Sequence, residues 1–100
     1  MTVRFANGIG YLFQKETPDF PVERISYQLT EMDATAYTKK RWWGDFSTHE
    51  ELKHSGNYLI EFEDKRRGEC VVIADAEASS KKAKIFYYHF NNRGPLTRNR

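Results

Sequence analysis

Cysteine is almost missing from this sequence: Cys70 is the one thiol in 100 residues. A single thiol excludes an internal disulfide, and with no CxxC or CxH partner it gives no zinc-ligand spacing. It fits a reducing, cytoplasmic setting. No apolar run approaches the roughly 18 residues needed to span a bilayer, so a membrane is not expected among the partners. The opening MTVRFANGIGYLFQKE has no continuous apolar stretch and no small-residue cleavage site, and is not expected to act as a secretion signal. No serine lies in a GxSxG elbow, and NGIG lacks the following helix and the lysine of a phosphate-binding loop. Acid is missing too, locally. Residues 81–100 hold six cations and no carboxylate side chain.

What is present is aromatic and charged. Seven Phe, six Tyr and two Trp suit strands and supply the bulk of a small core. Charged residues make up 30% of the chain, as in ordinary soluble domains, which argues against disorder throughout. The length is that of one domain. We expect a compact unit over 1–90 and a basic, flexible tail over 91–100. The net charge of +2 conceals an asymmetry: residues 1–38 carry three cations against five acids, whereas 39–100 carry thirteen against nine. A one-signed segment attracts polyanions and acidic surfaces.

Alternation of apolar and polar residues points to an antiparallel sheet of about five to seven strands in an α+β, mainly β, fold. Val3 and Phe5, then NGIG, then Tyr11 to Lys15 read as a hairpin, because Asn and Gly tolerate positive φ. ETPDFP reads as a loop. Ile25, Tyr27 and Leu29 mark one face of a strand over Val22 to Met32. Tyr58, Ile60 and Phe62 mark another, which EDKRRG turns back into Cys70 to Ala74. DAEASSKKA is expected to be a polar connection, and Ile85 to Phe90 a last aromatic strand. One short helix is expected near 47–55, where Ser47 with Glu50 or Thr48 with Glu51 forms a capping box and Gly56 offers a stop.

DATAYTKKRWW is open to two readings. Asp33 can cap a helix, while Tyr37 and the two tryptophans favour a strand. In a strand adjacent side chains point to opposite faces, which places Trp42 in the core and leaves Trp43 beside Lys39 and Arg41. A helix reverses the assignment.

Few residues suggest chemistry. His49 and His54 are five apart, roughly 140° around a helix, which does not suit a zinc pair. Neither a metal nor another cofactor is expected. Cys70 opens an apolar strand, where thiols are inert packing. Glu61, Glu63 and Asp64 stand against Lys65, Arg66 and Arg67, an arrangement better suited to cross-strand pairing than to acid–base catalysis. Cations interleaved with aromatics suit single-stranded nucleic acid, whose phosphates follow the cations and whose bases stack on rings. The candidates for such contacts are Lys39, Lys40, Arg41 and Trp43; Lys65, Arg66 and Arg67; Lys81, Lys82 and Lys84; Tyr88; and Arg93. The expected function is therefore a small non-enzymatic binding or regulatory protein for nucleic acid or a nucleoprotein assembly. The same residue types serve an inhibitor or adaptor facing an acidic protein. A third reading is a metal-independent ribonuclease built from His89, Tyr87 or Tyr88, and Arg93.

Overall fold

A computed structural model describes residues 2–98 of the chain. Seven antiparallel strands run in sequence: β1 (Val3–Phe13), β2 (Pro21–Met32), β3 (Arg41–Thr48), β4 (Gly56–Glu61), β5 (Arg66–Ser80), β6 (Ile85–Asn92) and β7 (Thr97–Arg98). Their order in the sheet is β4-β1-β2-β3-β6-β5-β7, and β4 also pairs with β5. That pairing closes six strands into a barrel, which removes most of the exposed edge that a flat sheet would carry.

Period-two alternation decides what lies inside. On β2, Ile25, Tyr27 and Leu29 are buried, and on β6 so are Phe86, Tyr88 and Phe90. With Trp42, Phe46, Ile60, Phe62 and Val72 they fill the barrel. Tyr27 meets Phe62 edge-on at 4.8 Å, and Phe46 stacks on Tyr88 at 5.2 Å. Burying each such ring contributes roughly 1.5–3 kcal/mol, against a total stability of only about 5–15 kcal/mol for a domain. Cys70 belongs to this core, and burial pushes its thiol up to about 12, so it packs rather than reacts.

The expected helix near 47–55 is not there; no helix occurs among the described residues. Ser47 and Thr48 lie in β3, opposite Tyr87 and Phe86 of β6. The Thr48 hydroxyl donates to the Glu50 carbonyl at 2.6 Å instead of capping a helix. With Leu52 as its sole large apolar residue, the segment had too little to bury as a helix, and the ladder took its first two residues. Gly56 does adopt positive φ, at 129°, but as the first residue of β4.

NGIG does not turn. β1 runs straight through it and pairs with β2 from Val3↔Met32 to Phe13↔Pro21. These glycines provide room rather than positive φ: a Cβ on Gly8 would stand 3.0 Å from both the Tyr27 hydroxyl and the Glu63 carboxylate. Residues 33–40 are neither helix nor strand. The Thr35 hydroxyl accepts the amides of Tyr37 and Thr38, at 3.1 and 3.0 Å, and fixes a local turn. The strand reading holds only from Arg41 onward. The connection expected at DAEASSKKA is shorter, because β5 extends to Ser80 through an irregular stretch after Asp75. Of the segment expected to trail as a tail, 91–98 joins the barrel: Asn91 and Asn92 finish β6, and Thr97–Arg98 form β7 against β5. Residues 99–100 lie outside the described part.

Candidate nucleic-acid interface

At one end of the barrel the chain enters β3 while β6 breaks off. Cys70 faces Asn92, but Arg66 faces Arg98, so four steps along β5 match six on the opposing chain. The surplus makes a bulge at Arg93–Leu96. Its Gly94 carbonyl accepts the Trp42 indole N–H at 2.8 Å, and Arg93 donates its amide to the Glu69 carbonyl at 2.8 Å. Leu96 packs on the core. Gly68 leaves the space into which the Trp42 ring and Leu96 fit.

Between the bulge and the run Lys39–Arg41 opens a groove of about 680 Å³. Trp42, Pro95 and Leu96 give it an apolar floor, and Lys39, Lys40, Arg41 and Arg93 line it with cations. Among the described residues none of these four forms an ion pair. The Arg93 guanidinium donates to the Asn57 side-chain oxygen, at 3.2 Å. Strand alternation separates the two tryptophans. Trp42 is 2% exposed, and Trp43 is half-buried on the outer face, with the Arg41 guanidinium 5.2 Å from its ring centre. Arg41 thus belongs both to the groove and to a cation–aromatic stack.

Arg4, Arg66 and Arg67 at this end are already engaged. Arg66 holds the buried Glu31 in a two-pronged contact at 2.7 and 2.8 Å, and its Nε donates to Asp64 at 2.7 Å. Arg4 adds bonds of 3.0 and 3.1 Å to Asp33. The hydrogen bonds from Arg66 hold the Glu31 carboxyl below the ordinary carboxylate range. Burial alone would raise Asp64, but the amide and guanidinium of Arg66 outweigh it and bring Asp64 down. Arg67 meets Glu61 at 3.2 Å, donates to the Pro18 carbonyl at 2.8 Å, and lies 4.1 Å over the Phe13 ring. This is the cross-strand pairing that the charge pattern suggested. Lys65 is exposed on the turn between β4 and β5, at φ 75°.

The remaining candidates fall elsewhere. Lys81, Lys82 and Lys84 occupy the tip between β5 and β6, at the far end of β6 from Arg93. Tyr88, expected at the surface, is a core residue at 3% exposure, and its hydroxyl accepts the Leu52 amide at 2.8 Å. On β6 the even-numbered side chains Phe86, Tyr88 and Phe90 face inward, so Tyr87 and His89 are the residues that face out. His89 meets Asp75 at 2.9 Å, and Asp75 is held below its usual range, first by the Ala78 amide and then by His89. Arg93 is not directed at this pair, since it lines the groove beyond the end of β6. Among the described residues no group of three His, Cys, Asp or Glu side chains is placed to hold a metal ion.

The sequence reading missed Asn92, Pro95 and Leu96 as groove residues. Their one sequence signal is the Gly-Pro break within NNRGPL. Comparison with protein-family models, curated proteins and solved structures finds no match.

Proposed function

We propose that the protein binds single-stranded nucleic acid, alone or within a nucleoprotein assembly, at this end of the barrel, and that it acts by binding rather than by catalysis. One observation carries the reading. Two segments about fifty residues apart bring four cations, none in an ion pair among the described residues, around one groove, and one of those cations stacks on an outward-facing tryptophan. Phosphates would lie along Lys39, Lys40 and Arg93. A base would stack beside Trp43 and Arg41, as sequence-tolerant readers of single strands use aromatic platforms.

The test is the salt dependence of binding to a labelled single-stranded oligonucleotide. Neutralising three or four phosphates should give a log–log slope of about −2 to −3, from roughly −0.7 per contact on a single strand. No binding at low salt, or binding that salt does not weaken, overturns the reading. The groove's charges would also suit an acidic protein. A partner recovered by pulldown that survives nuclease treatment would transfer the site to that class.

A further inference from the structure

Closure of the barrel is incomplete along one strand. β1 pairs with β2 over its whole length, but with β4 only from Tyr11 to Phe13. Alternation fixes which backbone groups this leaves open. The Ile9 amide points away from β2 and is taken by the Glu63 carboxylate at 3.2 Å, whereas the Thr2 carbonyl points toward β2 and accepts from Asp33. In an antiparallel strand the N–H and C=O of one residue point to the same side. The amides and carbonyls of Val3, Phe5 and Asn7 therefore form an outward row that has no partner among the described residues. Side chains in the same stretch are bare, with Phe5 79% and Val3 43% exposed.

Proteins ordinarily guard such edges with proline, charge or a bulge. The open side of β2 has Pro21, Glu23 and Arg24, and β5 beyond Asp75 is irregular. The open stretch of β1 has a single charge, Arg4, which Asp33 and Glu31 engage. The row is also symmetric. Three residues centred on Phe5 match themselves when an identical strand is laid antiparallel about a two-fold axis through Phe5.

We propose that this edge pairs with the same edge of a second copy of the chain. Phe5 faces its own equivalent, Val3 faces the partner's Asn7, and every open amide and carbonyl of the row is satisfied. Arg4 falls opposite the partner's Ala6, so no like charges oppose each other. Phe5 is paired with Thr30, and Thr30 with Trp43, so the joined sheet would carry both Trp43 rings on one outer row. Six strands at about 4.8 Å spacing put the two rings roughly 24 Å apart. The pairing does not depend on the groove's ligand.

Sedimentation equilibrium of the full chain tests it. Wild type should shift toward twice the monomer mass as concentration rises through the micromolar range. Phe5→Pro removes an amide that β2 does not use, so the variant should keep its circular dichroism and stay monomeric. Phe5→Lys and Phe5→Glu should each be monomeric, through repulsion across the axis, and mixing them should restore a one-to-one dimer. A wild type that remains monomeric, a Phe5→Pro variant that dimerises as wild type does, or a Lys/Glu mixture that stays monomeric overturns the proposal.

Discussion

The two ends of β6 are both basic and differ in what surrounds the charge. Near Ile85 the lysines 81, 82 and 84 project from a four-residue turn, exposed and without an aromatic side chain among them. Near Asn92, roughly 25 Å away at strand spacing, cations from two segments face each other across an apolar floor. A third set at that same end, Arg4, Arg66 and Arg67, is neutralised by Asp33, Glu31, Asp64 and Glu61. Charge count alone thus says little about recognition here. Convergence on a concave surface, next to a ring and without ion pairs among the described residues, separates the groove from the hairpin tip.

The sharpest way to break the groove end is through its floor. Trp42→Ala should cost about 3–5 kcal/mol and leave the chain largely unfolded, because a buried indole and its bond to the bulge are lost together; urea denaturation measures it. Next comes the neutralised set. Glu31→Ala should cost about 2–3 kcal/mol, below the usual figure for breaking a buried pair because Arg66 retains 23% side-chain exposure. The same ion pairs set a pH dependence. Glu31 and Asp64 titrate below their unfolded values, so their contribution is complete above about pH 5 and disappears as pH falls through the lowered range. Urea midpoints between pH 7 and pH 3 should therefore fall less steeply in Glu31→Gln than in wild type.

Binding distinguishes what stability does not. Trp43→Ala should leave the urea midpoint within about 0.5–1 kcal/mol of wild type and weaken oligonucleotide affinity by about 1 kcal/mol or more. If it unfolds the protein as Trp42→Ala does, the outer ring is structural and the stacking platform is lost. Lys39→Ala, Lys40→Ala and Arg93→Ala should each reduce the salt slope by roughly 0.7 without changing stability. The smallest effect belongs to the far end. Replacing Lys81, Lys82 and Lys84 together with Ala should change affinity by less than about two-fold. A larger loss there would mean that the ligand spans the barrel.

Much of this was legible in the sequence because strand alternation is local. The faces of β2 and β4 follow from spacing, as does the burial of Trp42 beside an outward Trp43 on the strand reading. The cross-strand charge pairing of Glu61, Glu63 and Asp64 with Lys65, Arg66 and Arg67 was legible as well, but which acid meets which cation was not. Where local signals failed, they offered two physically adequate outcomes. Asn7-Gly8 can turn, yet it can also make room for Tyr27. Ser47 and Thr48 can cap a helix, yet they can also extend a ladder beside Tyr87 and Phe86. Tyr88 was misplaced by one step of parity, which decides everything about a strand side chain.

The sequence by itself therefore determined a mainly β antiparallel chain, the inward faces carrying Tyr27, Tyr58 and Phe62, and the concentration of positive charge in its later part, since each depends on neighbours close in sequence. Tertiary structure alone decided that the sheet closes, that Arg66 and Arg67 are neutralised while Lys39, Lys40, Arg41 and Arg93 surround a groove, and that half of β1 keeps an open edge. Those outcomes depend on the register between strands far apart in sequence, which no local pattern fixes.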